Sequence, residues 1–162
     1  MKITRLNHAV LFVRNAVASA KFYADAFGFE RAFAIGDDAI FMRAAGSSND
    51  HDLGLFSIGV QATASTAGQS SVGLYHLAWQ VDSLADLLSM RERLMTMGAM
   101  RGESDHGTTK SLYAHDVDGI EFEVMWLVPG EKLTDADRAA GGGTRRLDWE
   151  RVKRDYAETV ET

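Results

Sequence analysis

Two stretches of this sequence repeat one pattern: LNHAVLFVRNAVASAKFYADAFGFE at residues 6–30 and LYHLAWQVDSLADLLSMRERLMTMGAM at residues 74–100. Each begins Leu-x-His, continues through a short apolar run that ends in Val, and then enters a helical pattern that stops at Gly. His8 and His76 occupy the same place in the two stretches, 68 positions apart. The repeat indicates one supersecondary unit that is written twice.

Each stretch predicts a strand followed by a helix. Residues 10–13 and 77–81 are apolar runs of strand length. Asn15 and Ser83 are suited to cap the helices that follow. After each helix the sequence predicts three more strands, at residues 29–35, 39–43 and 52–58 in the first half and 99–102, 110–115 and 120–128 in the second. Each half therefore reads β-α-β-β-β, and the predicted fold class is α+β.

The predicted organisation is one domain with a C-terminal extension. Residues 1–128 form the domain, with modules at about 3–59 and 73–128 joined by a linker at 60–72 that is rich in small and polar residues. The two modules are expected to form a curved mixed sheet around one cleft. Residues 129–162 form the helical extension.

The extension predicts a helix that docks on a protein surface. A glycine run at residues 141–143 is followed by Asp148, a candidate helix cap, and by a narrow apolar stripe at helical spacing. Such a stripe needs a surface to cover, on its own subunit or on a partner. No catalytic role is expected for it. The stripe consists of Trp149, Val152, Tyr156 and Val160.

Composition excludes several classes of protein. Hydrophobic residues make up 46% of the 162 residues, which is enough for a globular core. The formal net charge of −6 disfavours nucleic acid as a partner, and no apolar run reaches the roughly 20 residues of a membrane span. Without a signal-like start, the protein is expected to be cytoplasmic. Because there is no cysteine, a metal would need imidazole and carboxylate ligands.

Strand alternation predicts which side chains share a face. His8, Val10 and Phe12 share one face of the first strand, opposite the face that meets the helix, and His76 occupies the same position in the second half. In the last strand Glu123 lies opposite bulky apolar neighbours, whereas Glu121, near the strand's start, is expected to face solvent. Two imidazoles and one carboxylate with open positions suit non-haem Fe(II).

At these residues the sequence resembles the vicinal oxygen chelate superfamily, which includes glyoxalases, bleomycin-resistance proteins and type I extradiol dioxygenases. The resemblance covers about residues 3–128 and is carried by LNHAVLFV, KFYADAFGF, YHLAWQV and YAHDVDGIEFEV. The last segment is similar to the family's Asp-Pro-Asp-Gly turn and ligand strand, with Val117 in place of Pro. The resemblance implies that His8, His76 and Glu123 are metal ligands.

Within this superfamily the chain most resembles the type I extradiol (catechol 2,3-) dioxygenases. Glyoxalase-type sites have a fourth protein ligand, whose position falls at or near Leu55 in this chain, where no Glu, Gln or His is available. Three ligands leave three open positions on an octahedral iron, enough for a bidentate catecholate and dioxygen. Fe(II) is therefore the expected metal, with Mn, Ni and Zn as alternatives.

Two further segments resemble parts of the extradiol dioxygenases that carry pocket residues. DHDLGLF at residues 50–56 implies that His51 is the acid/base histidine. His51 has the same strand parity as Leu53 and Leu55, so its side chain is expected to point from the start of the strand toward the metal pocket. SDHGTTKSLYAHD at residues 104–116 implies pocket roles for Tyr113 and His106. A neutral histidine suits proton transfer because its reference pKa of about 6.5 lies near working pH.

The expected function is ring cleavage of a small catechol-like aromatic by Fe(II) and O2. One alternative is a metal-dependent lyase or isomerase of the glyoxalase kind that uses Ni, Zn, Mn or Co. The other is a metal-free binding protein of the antibiotic-resistance type. A homodimer is expected because units are often paired between chains in the superfamily.

Overall fold

The first half of the chain folds into one β-α-β-β-β unit in the computed structural model, which describes residues 1–140 and 142–156. Its sheet has the strand order β1-β4-β3-β2, in which β1 runs parallel to β4 and the other neighbours are antiparallel. The elements are β1 (Ala9–Val13), α1 (Ala16–Phe27), β2 (Glu30–Ile35), β3 (Ala39–Arg43) and β4 (Leu53–Ser57).

The second half repeats this topology, which confirms the predicted α+β fold. Its sheet has the order β5-β8-β7-β6, again with one parallel pair, β5 and β8. The elements are β5 (Leu77–Val81), α2 (Leu84–Thr96), β6 (Met100–Asp105), β7 (Thr109–His115) and β8 (Glu121–Leu127).

The chain divides into two compact units, and the first of them includes a short turn from later in the chain. The first unit contains Met1–Ser65 together with Asp116–Gly119, and the second contains Thr66–His115 and the chain from Ile120 onward. This turn connects β7 to β8. Its Asp118 Oδ1 accepts a hydrogen bond from Arg14 Nη1 at 2.7 Å, and Asp116 Oδ2 accepts one from Tyr23 Oη at 3.0 Å. The acidic turn is therefore held inside the first unit by its two carboxylates.

Both long helices begin and end where the sequence predicts. The side chains of Asn15 and Ser83 accept hydrogen bonds from backbone amides of the first helical turns. Gly28 and Gly98 follow the helices with φ of 68° each, a left-handed conformation that favours glycine. None of the helices within residues 1–140 and 142–156 has the length and apolar character needed to cross a bilayer.

Strand alternation is confirmed in both sheets. In β1, Leu11 and Val13 are buried, whereas Phe12 is 71% exposed. In β8, Glu123 is half-buried and its neighbours on either side are buried under α2. We call the face of each sheet opposite its helix the open face. The residues of β8 that face α2 are Phe122, Val124 and Trp126.

The C-terminal extension packs on the second unit of its own chain, which confirms the predicted docking helix. A 3₁₀ turn (Gly130–Lys132) and the short helix α3 (Asp135–Ala139) precede α4 (Trp149–Asp155). Val152 and Tyr156 are buried, and the Tyr156 ring meets Trp126 edge-on at 5.3 Å. Trp149 Nε1 donates to Glu103 Oε2 at 2.7 Å. Gly141 and Val160 lie outside the described residues.

A buried cluster of charges joins the extension to the second sheet. The Lys110 side chain is fully buried, and its Nζ donates to Asp105 Oδ1 at 2.7 Å, to Asp137 Oδ1 at 2.8 Å and to Gly107 O at 2.9 Å. Burial is the largest single influence on the pKa of Asp105 and Asp137 and raises it, but the hydrogen bonds from Lys110 and from the other donors around each carboxyl together lower the pKa of both. The ammonium therefore has three acceptors in a water-free position.

Candidate active site

A cavity of about 350 Å³ lies on the open face of the second sheet. That volume falls in the range of small-molecule pockets. Gly102 in β6 lies in its wall, and a Cβ added there would meet no described atom within 4 Å. The side chains that line the cavity are mostly polar, and they include Tyr75, Arg101, His106, Tyr113, Glu121 and Thr144.

Beside this cavity the structure brings together two of the predicted metal ligands. His76 Nε2 lies 3.2 Å from Glu123 Oε2, and their side chains are 24% and 13% exposed. The pairing of β5 with β8 sets this contact, because Glu123 lies directly opposite Ala78. Two ligand atoms about 2.1 Å from one metal at right angles are about 3 Å apart. The pair therefore fits neighbouring positions around a divalent metal.

A second pair of predicted residues also lines the cavity. His106 Nε2 and Tyr113 Oη are 2.9 Å apart in a hydrogen bond, and Thr144 Oγ1 lies 3.4 Å from His106 Nδ1. Burial, and next the nearby charge of Glu123, raise the pKa of Tyr113 to about 12. The phenol thus keeps its proton at neutral pH and can donate it in a hydrogen bond.

The remaining two predicted residues lie together in the first unit. The rings of His8 and His51 are 4.4 Å apart, and Phe33 and Phe41 meet the His51 ring edge-on at 5.6 and 5.1 Å. His51 is only 8% exposed. Its Nδ1 lies 3.2 Å from Asp50 Oδ2, but the alignment is not that of a hydrogen bond. His51 is therefore an imidazole in a largely aromatic environment.

A chain of amides fixes the His8 ring. His8 Nδ1 is 2.7 Å from Asn7 Oδ1, an acceptor, so Nδ1 carries the proton and Nε2 keeps its lone pair. Asn7 Nδ2 donates to Asn49 Oδ1 at 3.1 Å, and Asn49 Nδ2 donates to Asp52 Oδ1 at 2.7 Å. The free lone pair on Nε2 is the one that a metal ligand requires.

Strand parity predicted the direction of His51 for the wrong reason. Leu53 and Leu55 are fully buried on the helix side of the first sheet, so a residue of equal parity would point to the helix as well. His51 instead contacts Phe33 and Phe41 on the open face. The alternation stops before His51 because β4 begins only at Leu53.

The position that matches Glu123 in the first unit is Gly54, the residue before Leu55. Gly54 pairs with Val10 of β1 as Glu123 pairs with Ala78 of β5. A Cβ on Gly54 would lie 3.3 Å from Val10 Cγ2 and 3.4 Å from the Phe41 ring. At this position the first unit therefore has no side chain that could bind a metal, and any side chain there would require Val10 and Phe41 to shift by a few tenths of an ångström.

The donor atoms of the second unit are suited to a metal. Within residues 1–140 and 142–156 no group of three or more His, Asp and Glu side chains is already arranged as a metal cage. However, His76 Nδ1 and Glu121 Oε1 are buried without a hydrogen-bond partner among those residues. An imidazole flanked by carboxylates in an incompletely hydrogen-bonded site has the chemistry that divalent metals bind.

Sequence reasoning missed several residues of the site. Glu121 is part of the cavity wall rather than exposed to solvent, and its shared parity with Glu123 was the available signal. Arg101 sits in the bulge between Met100 and Gly102, where β6 has one residue more than β7. Thr144 comes from the extension and had no signal in the sequence.

Comparisons with known proteins agree with this architecture. The family model of the glyoxalase/bleomycin resistance protein/dioxygenase superfamily matches residues 5–124. A domain of that description from Frankia sp. EAN1pec is 22% identical, with a TM-score of 0.65 over 82% of this chain and 98% of that one. No curated protein matches the sequence.

Two further solved structures share the fold at similar distance. Lactoylglutathione lyase from Agrobacterium tumefaciens is 20% identical, with a TM-score of 0.59 over 78% of this chain and 96% of that one. The fosfomycin resistance protein FosX from Listeria monocytogenes is 21% identical, with a TM-score of 0.59 over 85% and 99%. The match to the family model covers most of the chain, and the chain therefore belongs to the glyoxalase/bleomycin resistance protein/dioxygenase superfamily.

Proposed function

We propose that this protein is an Fe(II)-dependent extradiol dioxygenase that cleaves the ring of a small catechol-like aromatic. The observation that carries the proposal is the His76–Glu123 pair, 3.2 Å apart beside a hydrogen-bonding cavity. Gly54 supports it, because the first unit then supplies one ligand and leaves three positions open on an octahedral metal. A bidentate catecholate and dioxygen need those three positions.

In this proposal His8, His76 and Glu123 hold the metal. When bound, the iron supplies electrons and a template on which the aromatic and oxygen meet. Because Asn7 Oδ1 accepts a hydrogen bond from His8 Nδ1, His8 Nε2 is free for coordination. His76 Nε2 points at Glu123 Oε2, so the two atoms could bind the same metal. Both histidines are neutral ligands, so the site carries one formal negative charge from the protein.

The cavity residues bind and orient the substrate. Tyr113 Oη stays protonated, since the pKa of Tyr113 is raised to about 12, and it donates a hydrogen bond to a substrate oxygen or to His106 Nε2. Tyr75 offers an aromatic face to a planar ring. A cavity of about 350 Å³ excludes large substrates and suits one substituted ring.

His51 moves the proton. Its ring is 4.4 Å from that of His8 and is packed by Phe33 and Phe41, which keep bulk water away from one side. A neutral imidazole there takes a proton from a catechol hydroxyl as the substrate binds and later returns it to a product oxygen.

Reconstitution under anaerobic conditions tests the proposal. Wild-type protein is loaded with Fe(II) and given air and a panel of catechols, and oxygen uptake and the coloured ring-opened product are recorded. We expect turnover with at least one catechol. Glu123→Ala should retain its circular dichroism spectrum and lose metal, because Glu123 is a ligand on the open face and the core lies on the other side of β8. Stoichiometric Fe(II) in that variant would refute the ligand assignment.

The same preparation separates the alternatives. One structure of FosX contains Mn(II), so Mn(II), Ni(II) and Zn(II) are loaded in parallel. Conversion of a hemithioacetal by Ni or Zn protein without oxygen uptake would replace the dioxygenase with a glyoxalase-type enzyme. Failure to bind any of the four metals would leave the metal-free binding protein.

We also propose that the protein is a homodimer. Large apolar side chains on the first sheet are exposed, with Phe12 at 71% and Ile35 at 66%. Monomers rarely leave such side chains uncovered together, and a second copy of the chain would cover them. Light scattering coupled to size exclusion should give twice the chain mass, and Phe12→Glu should shift the mass toward that of one chain.

A further inference from the structure

We infer that Glu121 positions His76 by accepting a hydrogen bond from its Nδ1, so that the imidazole presents Nε2 to the metal. The inference rests on the proposed function in one respect, since it takes His76 as a metal ligand. Glu121 is then a positioning residue, which acts through His76 without touching the metal.

Two atoms that lack partners face each other at this point. His76 Nδ1 and Glu121 Oε1 are 3.4 Å apart, and both are buried without a hydrogen-bond partner in the described part of the chain. A buried donor or acceptor without a partner costs about 1–3 kcal/mol. A small rotation of the imidazole toward Glu121 would satisfy both atoms with one hydrogen bond.

The other nitrogen of His76 is already directed elsewhere. Nε2 lies 3.2 Å from Glu123 Oε2, the second carboxylate of β8. Glu121 and Glu123 are two residues apart and share a face, so they approach the ring from its two nitrogen sides. Both nitrogens therefore face a carboxylate oxygen. When a metal occupies Nε2, the single N–H of a neutral imidazole is on Nδ1, where Glu121 can accept it.

A second imidazole, that of His115, lies near the other carboxylate oxygen of Glu121. His115 pairs with Glu121 across β7 and β8, and its Nε2 is 3.8 Å from Glu121 Oε2. Arg101 Nε donates to His115 Nδ1 at 3.3 Å, which places the proton of neutral His115 on Nε2, facing the carboxylate. Both oxygens of Glu121 thus face imidazole N–H groups.

Arg101 is itself firmly placed. Its Nη1 donates to Gly98 O at 3.0 Å and to Met100 O at 2.8 Å, and Arg101 is the extra residue of the bulge in β6. Bulges often redirect a side chain next to a functional site. In the row Arg101, His115, Glu121, His76, the carboxylate of Glu121 is thus the shared acceptor, which faces an imidazole N–H of His115 on one side and of His76 on the other.

The test compares a variant that keeps the acceptor with one that removes it. Glu121→Gln retains an oxygen that can accept from Nδ1, whereas Glu121→Leu has similar size and none. Histidines are labelled with ¹⁵N, and the tautomer of His76 is read by NMR in metal-free protein that also carries Glu123→Ala, because Glu123 Oε2 competes for a proton at Nε2. Metal affinity is measured with Glu123 intact. Affinity for Co(II) and Zn(II) is measured by competition with a chelator. His76 is assigned from the spectrum of His76→Gln.

On the Glu123→Ala background we expect the Nδ1–H tautomer at His76 when Glu121 is present and in Glu121→Gln, and a mixture of tautomers in Glu121→Leu. Loss of such a supporting contact typically weakens metal binding 10–100-fold, which we expect for Glu121→Leu, with Glu121→Gln close to wild type. Glu92→Gln removes an exposed acid of α2 and serves as the control for the change in net charge. Glu121→Ala replaces Glu121→Leu if the leucine variant does not fold.

Unchanged tautomer and affinity in the variants without an acceptor would overturn the inference, as would equal losses in Glu121→Gln and Glu121→Leu. The measurements need no turnover. If the wild-type protein binds no divalent metal, the proposed function fails, and the tautomer of His76 still decides whether Glu121 holds its Nδ1.

Discussion

The open faces of the two sheets share one backbone topology but have different side chains. In the first sheet Phe33 pairs with Phe41, and their rings stack at 4.2 Å. In the second sheet the corresponding pair is Gly102 and Tyr113. Both pairs follow a one-residue irregularity in the register. Where the first sheet has a stacked aromatic pair, the second has a tyrosine above a cavity.

The fourth strands differ in the same way. Glu123 in β8 has the place that Gly54 has in β4, next to the first strand of its own unit. The first unit therefore offers two adjacent imidazoles, His8 and His51, with aromatic rings packed on His51. The second offers the imidazole of His76, a carboxylate and a cavity. Two units of one topology thus differ in what their open faces can bind because two or three side chains on that face differ.

His51→Gln would test whether the first unit supplies the residue that transfers the proton. It should have the largest effect of the five predictions, on the turnover rate. We expect iron and catechol to bind as in wild type, with turnover about 10²–10⁴-fold slower, because glutamine cannot take up the proton. Iron content, catechol affinity and initial rates of oxygen uptake measure this. A variant as fast as wild type would move the proton to the second unit, with His106 and Tyr113 as the next residues to change.

Lys110→Met would test how much the buried charge cluster between the second sheet and the C-terminal extension stabilises the fold. Removal of the ammonium leaves Asp105 and Asp137 with only the partly exposed Arg145 and Arg151 as cationic partners. Loss of one partner of a buried pair typically costs about 3–5 kcal/mol, and these two arginines should keep the cost at the lower end of that range. Urea unfolding followed by circular dichroism gives the free energy. The exposed pair of Lys21 and Asp25 provides the control, since Lys21→Met should cost well under 1 kcal/mol. Equal costs would contradict the role given to the cluster.

Gly102→Phe would make the second open face resemble the first. The new ring has room, because a Cβ at Gly102 meets no described atom within 4 Å, and it would fill the cavity against Tyr113. We expect substrate affinity to fall about 100-fold, or about 2.7 kcal/mol, while metal affinity stays at the wild-type value. Isothermal titration with catechol and with Zn(II) measures both. Unchanged catechol binding would place the substrate elsewhere.

Asn7→Ala would compare the support of the two histidines. Asn7 holds His8 through a neutral amide in an exposed position, whereas a carboxylate faces His76. We expect metal affinity to fall about 10-fold, at the lower end of the range for such supporting contacts. Chelator competition is the measurement, and Asn15→Ala, which removes only a helix cap, is the control. A larger loss than in Glu121→Leu would reverse the order of the two supports.

Acid should leave the extension docked until low pH, the smallest effect of the five. The pKa of Asp105 and Asp137 is lowered in the folded protein below the value of about 3.9 expected after unfolding. The unfolded chain then binds more protons than the folded one between these pKa values. The contribution of the two carboxyls to the free energy of unfolding is therefore constant above about pH 5 and falls as the pH drops below about 4. Hydrogen exchange of α4 amides at several pH values would show this. Loss of protection already at pH 5–6 would contradict it.

Much of the fold could be predicted because it depends on local signals. Asn15 and Ser83 cap their helices, and apolar alternation in β1 and β8 places Leu11 and Val124 on the helix side. Each of these features follows from residues within a few positions of one another. The repeat around His8 and His76 extended the same signals to the whole fold.

The site was predicted less well, because its contacts depend on register. Glu121 was expected in solvent, but it lines the cavity and faces His76 and His115 from neighbouring strands. The match of Glu123 was predicted at or near Leu55, and only the pairing of β1 with β4 identifies it as Gly54. A shift of one residue changes the face on which a side chain lies, and sequence alone does not fix register to that accuracy.

By itself the sequence determined the doubled β-α-β-β-β unit and the residue types available for a site: two equivalent histidines, a carboxylate of matching parity, and no cysteine. The tertiary structure decided which of them meet. It placed His76 against Glu123 and Glu121, packed His51 among aromatic rings, and brought Thr144 of the extension to His106. Secondary structure follows from short-range preferences, whereas a site is formed by distant residues whose distances are set only when strands pair and faces pack.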